Sequence, residues 1–372
     1  MLLLIAITGG VVSASLATAL VIPVLSRRAV LDVPNQRSSH IRPTVRGGGI
    51  GLAVGTMVTL AIAHSQLTAS AGTALVVAGL GFGAIGFADD LNGNVSVTIR
   101  LGLQLVMGVI VVAVLWWHAS TVSLSVVFVC SMAIFWIVSF VNAFNFMDGI
   151  NGISCAETIV AGVAFGLYAR HEHELALQVA AFALVAGSIG FAPFNFPNAR
   201  VFLGDVGSYF AGAWVAVLVV IGLRGSIPPE AMVAPVALYV ADTGVTLARR
   251  LRHHEAWTQG HRQHTYQRLV RLGWDHTQTT GLVFIIVALC SALGSVSLFG
   301  SLPERVAADC GAVVLVAGYL FLPGQIERRQ LVGLQREHRL VESQQPRPLV
   351  ERQQPRPREA RTYQVLRSRI HR

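Results

Sequence analysis

Apolar stretches long enough to cross a lipid bilayer recur from the first residue to about residue 320, and they leave a chain of this kind few architectures. About eleven of them, on the order of 17–23 residues each with some shorter Gly-rich ones, centre near Gly10, Thr56, Leu80, Val109, Ala133, Ala161, Ala183, Ala213, Val236, Ala288 and Val314. Inside a bilayer the backbone has no water to bond to, so each run closes its hydrogen bonds within a helix. The fold class expected is therefore an all-α polytopic membrane protein with about eleven transmembrane helices. The first run has no basic residues ahead of it and reaches Arg27-Arg28 without a small-residue cleavage site. It reads as a membrane helix and not as a secretory leader.

Charge sets the expected orientation. All 28 cationic side chains are Arg, and 25 of them fall in one set of alternate loops. The positive-inside rule then places the N-terminus outside and the C-terminus in the cytoplasm. The net charge of +9 fits this topology, anionic lipid headgroups and anionic substrates, and the chain carries no nucleic-acid-binding motif. The four cysteines, Cys130, Cys155, Cys290 and Cys310, sit in apolar segments without metal-ligand spacing and read as small core residues. Residues 1–325 are expected to form the membrane-embedded domain. Residues 326–372 are expected to be a disordered, basic Pro/Gln/Arg-rich cytoplasmic tail, because the near-tandem nonapeptides Leu340–Pro348 and Leu349–Pro357 cannot build a packed core.

Only 13% of the residues are charged, yet acids stand in or beside the polar breaks between the apolar runs, at Asp89-Asp90, Asp148, Asp205 and Asp242. Carboxylates so placed are costly and mark chemistry or ion binding. Adjacent Asp89 and Asp90 repel, and so need a metal, a cationic partner, water or a shared proton. In the next break Asn142, Asn145, Asp148 and Asn151 recur every three residues, which on a helix gives one slowly drifting line of amide and carboxylate oxygens. A helix cap explains one such residue, not four. In Phe202-Leu-Gly-Asp-Val-Gly-Ser208 an acid sits between two glycines at the start of a span, where phosphate oxygens would meet backbone N–H groups and Asp205 would hold a divalent cation. Arg46-Gly-Gly-Gly-Ile-Gly51 leads into a span and reads as tight packing beside a basic approach. In His261-Arg-Gln-His264-Thr-Tyr-Gln-Arg268 the two histidines lack a Cys partner for zinc. The interleaved cations suit an anion, with pyrophosphate the natural one and lipid headgroups the plainer alternative.

These motifs, in this order over residues 1–320, resemble the polyprenyl-phosphate N-acetylhexosamine-1-phosphate transferase family, in its branch that initiates O-antigen and related surface polysaccharides. The first loop, Arg37-Ser-Ser-His40 to Arg46-Gly-Gly-Gly, is similar too, whereas the triple-His element of the phospho-MurNAc-pentapeptide branch is absent. Asn151 departs from the second Asp found in many bacterial members, which puts in doubt any mechanism needing two carboxylates in that loop. The resemblance implies transfer of HexNAc-1-phosphate from a UDP-N-acetylhexosamine to undecaprenyl phosphate at the cytoplasmic face of the bacterial inner membrane, with release of UMP. It further implies Mg²⁺, with Mn²⁺ a substitute, on Asn145 and Asp205. Asp89 would position or deprotonate the lipid phosphate, and Asp90 and Asp148 would organise the cation shell. Phe202 would stack on uracil and Asn151 contact the nucleotide. His261, His264 and Arg268 would bind the pyrophosphate, with Asn142 and Arg46 also at the substrate and Asp242 a neighbour. Membrane lipids are the other partners, and a homodimer is left open. The reading from another class is a transporter or flippase for an anionic lipid or solute, since polar breaks and Gly-interrupted helices serve transporters as well.

Overall fold

The computed structural model describes residues 1–33, 43–93, 95–117, 123–255 and 262–344. The chain divides into two units, Met1–Pro323 and Gly324–Arg372. In chain order the elements are α1 (Leu2–Arg27), β1 (Leu31–Asp32), β2 (Thr44–Arg46), α2 (Gly49–Ile62), α3 (Ala69–Asn92), α4 (Val97–Leu115), α5 (Leu124–Met147), α6 (Ile153–His171) and α7 (Leu175–Asn195). They continue with β3 (Val201–Phe202), α8 (Gly204–Arg224), α9 (Pro229–Val233), α10 (Ala237–Arg252), α11 (Thr265–Arg271), α12 (His276–Ser295) and α13 (Leu302–Gln344).

Among the described residues ten helical segments are long and apolar enough to cross a membrane, so the protein is an all-α multi-pass membrane protein. The eleventh expected span, near Thr56, is the correction: α2 has 14 residues, about 21 Å of helix against a hydrocarbon core of about 30 Å. The span expected near Val236 is α9 and α10 with a short 3₁₀ turn, Ala234–Val236, between them. Pro235 lies in that turn, lacking the N–H that an unbroken α-helix requires. The helix α13 runs as far as Gln344, into the first residues of the expected tail. The rest of the tandem repeat lies outside the described residues.

The centre of the first unit is α8, apolar on every side and buried along nearly its whole length. It packs against α3, α5, α2 and α7, and the indole N–H of its buried Trp214 donates to the Ala180 carbonyl at 2.9 Å. Buried Thr18, Thr56 and Thr59 spend their hydroxyls one turn back, on the carbonyls of Ala14, Leu52 and Gly55. These hydroxyls are thereby satisfied within the helices, and Asp89, Asp90 and Asp205 meet at one end of the bundle.

Candidate active site

A three-stranded sheet of two- and three-residue strands, which periodicity did not announce, builds this end of the bundle. β1 pairs antiparallel with β2, and β2 runs parallel to β3 with Arg46 opposite Phe202. The pairing continues as Gly48 N to Phe202 O at 2.9 Å and Gly49 N to Leu203 O at 2.8 Å. The chain then turns into α8 through Gly204, whose φ of +75° is left-handed and suited to glycine. A Cβ there would lie 2.6 Å from Asp90 Oδ2. The register thus delivers Arg46 from one side and Asp205 from the other.

The N-terminus of α8 is where the sequence placed phosphate oxygens, and a protein carboxylate occupies two of its donors instead. Asp90, from the end of α3, accepts from Asp205 N at 3.0 Å and Val206 N at 2.9 Å. The first N–H groups of a helix have no partner of their own and carry its positive dipole end, so a carboxylate is stabilised there. Arg46 completes the lock, with Nε 2.6 Å from Asp90 Oδ1 and Nη2 2.8 Å from Asp205 Oδ1. Burial opposes the charge of Arg46, but Asp205 and Asp90 outweigh it and hold the guanidinium pKa above its ordinary value. Arg100 of α4 binds Asp89 Oδ2 through Nη1 at 2.5 Å, and the Asp89 and Asp205 carboxyl groups lie within hydrogen-bonding reach of each other. Asn145 donates to Asp205 Oδ1 at 2.9 Å and to Ser208 Oγ at 2.8 Å. Three carboxylates thus face two guanidinium groups, which leaves a site suited to one more positive charge.

The motif of three-residue spacing is split. α5 stops at Met147, so Asn142 and Asn145 lie on the helix while Asp148 caps its end and Asn151 belongs to the following turn. The continuous helical line of oxygens expected from the spacing does not form. Asn142 donates to Gln104 Oε1 at 2.6 Å and to the Val138 carbonyl at 2.7 Å. Asn151 donates to the Pro197 carbonyl at 2.9 Å, and its own carbonyl accepts from Thr280. Both amides tie elements together. Asp148 accepts from Ser154 Oγ at 2.6 Å.

Burial pushes the Asp148 carboxyl up to about 7, the Ser154 hydrogen bond opposing and nearby Asp205 adding to the rise. With a folded-state value above the ordinary 3.8, the folded protein holds a proton between those two values that the unfolded chain has released. The stability from this group is fully present below pH 3.8 and is lost as pH rises through about 7. Metal-free protein in detergent should therefore lose thermal stability between pH 4.5 and 7.5 in part through Asp148. Asp148→Asn, which cannot ionise, should flatten that portion of the melting-temperature profile; an unchanged slope rejects the assignment.

Next to the cluster a cavity of about 730 Å³ opens among α4, α5 and α10. Its polar lining includes Arg100, Asn145, Asp148, Arg250 and His264, and its apolar lining includes Leu101, Phe135, Trp136, Phe140, Val240 and Leu247. From Asn145 to Phe135 along α5 is about 15 Å at the helical rise. Arg268, on α11, and Phe202, on β3 beside Arg46, do not line it, and His261 lies outside the described residues. Arg100, Arg250, Ser154, Ser208 and Tyr266 belong to this region and were not singled out from sequence. A lone arginine inside an otherwise apolar run was the available signal for Arg100.

Tyr266 joins α11 to the motif, donating from its hydroxyl to the Phe146 carbonyl at 2.9 Å. Gly149 makes room for it, since a Cβ there would meet that hydroxyl at 2.1 Å. Gly149→Ala should displace the buried ring and with it neighbouring His264, slowing turnover by about tenfold or more through misplacement. Steady-state kinetics check this, and wild-type kinetics would show that the contact does not position the loop.

Among the described residues no three His, Cys, Asp or Glu side chains converge tightly enough to hold a metal ion by themselves. The donor set still suits Mg²⁺, which takes hard oxygen ligands, keeps several waters and commonly binds through one or two carboxylates plus substrate phosphates. Asp205 with the adjoining Asn145 amide meets that requirement.

Residues 72–223 match the model of glycosyl transferase family 4. Over 290 residues, 73% of this chain and 80% of the relative, the sequence is 24% identical to the probable undecaprenyl-phosphate N-acetylglucosaminyl 1-phosphate transferase of Bacillus subtilis. It is 26% identical over 345 residues to the decaprenyl-phosphate N-acetylglucosaminephosphotransferase of Mycobacterium leprae, covering 82% of this chain and 86% of that one. It is also 31% identical over 209 residues to the phospho-N-acetylmuramoyl-pentapeptide-transferase of Streptococcus thermophilus, covering 50% and 61% of the two chains.

Proposed function

The chain belongs to glycosyl transferase family 4, the polyprenyl-phosphate N-acetylhexosamine-1-phosphate transferases, and from that membership we propose that it moves HexNAc-1-phosphate from a UDP-N-acetylhexosamine to undecaprenyl phosphate. The observation that carries this reading is a carboxylate and guanidinium cluster that reaches, through Arg100 and Asn145, a largely apolar cavity running about 15 Å along α5, while Arg46, Asp89, Asp90 and Asp205 lie behind its wall. A phosphate-headed isoprenoid needs such a site, with charge at its head and a dry wall for its chain. A phosphate oxygen of the acceptor attacks the β-phosphorus of the donor, and the bond between that phosphorus and the UMP oxygen breaks.

The protein's part in this transfer is positioning and charge neutralisation. Asp205 and Asn145 would hold Mg²⁺, which when bound neutralises charge on the pyrophosphate. Arg100 presents a cation to the cavity while pairing with Asp89, which supports a role for the pair in binding the acceptor phosphate. Asp90 and Arg46 keep Asp205 aimed by bonding its backbone and its carboxylate. His264 lines the same cavity, which supports a role for it toward the donor phosphate. Sidedness follows from charge: the loops at this end hold the arginine-rich set, which supports a cytosolic site. The clustering of acids at one end also disfavours a midplane transport site. Two relatives act, by name, with N-acetylglucosamine, making it the first sugar to test, in the opening membrane step of O-antigen or a related envelope polysaccharide.

Purified protein with undecaprenyl phosphate, Mg²⁺ and a panel of UDP-HexNAc donors, including UDP-MurNAc-pentapeptide, should yield UMP and a lipid-linked sugar for one donor class. Mn²⁺ should substitute, and excess chelator should stop turnover. Absence of product from every donor rejects the function, and full turnover in chelator rejects the metal.

A further inference from the structure

We propose that Asp242 is a positioning residue that fixes His264 against the donor, an assignment that rests on the transferase reading above. Asp242 is fully buried in α10, where an ionisable side chain must be held by several partners to be tolerated. Its oxygens receive the Thr265 backbone N–H at 3.1 and 3.0 Å, the Tyr319 hydroxyl at 3.1 Å and the Thr246 hydroxyl at 3.3 Å. The imidazole Nδ1 of His264 lies 3.4 Å from Oδ1 of the same carboxylate. One side chain of α10 therefore gathers the first residue of α11, the residue before it and a phenol from α13.

The consequence is local and directional. The loop that arrives at α11 is clamped by its backbone, so His264 has little freedom to withdraw from the cavity wall. The ring is flanked by Phe146 at 6.1 Å and Tyr266 at 6.0 Å between centroids, both stacked on it, which limits its rotation. The Asp242 carboxylate beside Nδ1 and the two flanking rings together confine the imidazole to one place on the cavity wall. Asp242 does not line the cavity and would act on the anionic donor through His264.

The test is a double-mutant cycle on donor and acceptor kinetics in the full-length protein, with melting temperature as the fold control. Asp242→Asn keeps the side-chain shape and one acceptor oxygen. It should raise the UDP-HexNAc KM by about tenfold, leave the undecaprenyl phosphate KM within about twofold, and add little in a His264→Ala background. Multiplicative effects of the two substitutions, or a fall in melting temperature with both KM values rising together, would overturn the proposal. Should Asp242→Asn fail to fold, Tyr319→Phe keeps the carboxylate and removes one of its donors. A donor KM raised by about threefold in wild type and unmoved in His264→Ala supports the role, and an unmoved donor KM in both overturns it. Wild-type turnover in the same assay separates the two levels: its absence with every donor rejects the transferase reading itself.

Discussion

Asp205→Ala should abolish sugar-phosphate transfer, with a loss of at least about 10³-fold, or on the order of 4 kcal/mol of transition-state stabilisation. Asp205 Oδ1 is the point where Arg46 Nη2 and Asn145 Nδ2 meet, at 2.8 and 2.9 Å, and it supplies the carboxylate proposed to hold Mg²⁺. Without it the cluster keeps both guanidinium groups and loses one of three negative charges, so the attraction for a further cation falls with the geometry that would hold it. Breaking a buried ion pair also costs stability. Asp205→Asn therefore runs alongside, since it preserves volume while removing the charge. Both variants should insert and elute as wild type does, and both should fail in a radiolabelled donor assay. Turnover within tenfold of wild type in either one would reject the proposed centre.

How far this site could be read beforehand depends on which interactions are local. The helical class and the grouping of Asp89, Asp90, Asp148 and Asp205 follow from apolar runs broken at particular acids, a one-dimensional signal. The partnership of Arg46 with Asp90 and Asp205 does not, because it is made by two-residue strands whose parallel register joins positions far apart in the chain. Such strands carry no measurable period. The same limit applies to the α8 N-terminus: the sequence showed an anion-binding helix start and had no means of showing that Asp90 already fills two of its donors. The even spacing of Asn142, Asn145, Asp148 and Asn151 suggests one helix face, and α5 ends in the middle of it. Asn142 and Asn151 consequently bond to Gln104 and Pro197 as struts. Asp242 looked like a neighbour because its partners, Thr265 and Tyr319, lie 23 and 77 residues away.

Gly86→Ala should produce the other large loss, on the order of 10²-fold in turnover together with a lower melting temperature, although Gly86 touches no substrate. A Cβ at this position of α3 would fall 2.1 Å from the Asp205 carbonyl oxygen and 2.7 Å from Val206 N. Both are backbone atoms of α8 and cannot rotate aside. Carbon needs about 3.5 Å from such neighbours, so the two helices must part by on the order of 1 Å where the carboxylates meet. The bonds from Asp205 N and Val206 N to Asp90, now 3.0 and 2.9 Å, would then pass the useful limit for hydrogen bonding. Misplacement of that size is sufficient for a hundredfold effect when catalysis rests on positioning. Gly83→Ala is the matched control one turn earlier, because its Cβ would sit 3.6 Å from Phe210 Cβ and from the Val206 carbonyl oxygen, an ordinary contact. It should retain most of the wild-type activity. If the two alanine variants behave alike, the close approach of α3 to α8 does not set the geometry of the site, and the role given to Asp90 in holding Asp205 fails with it.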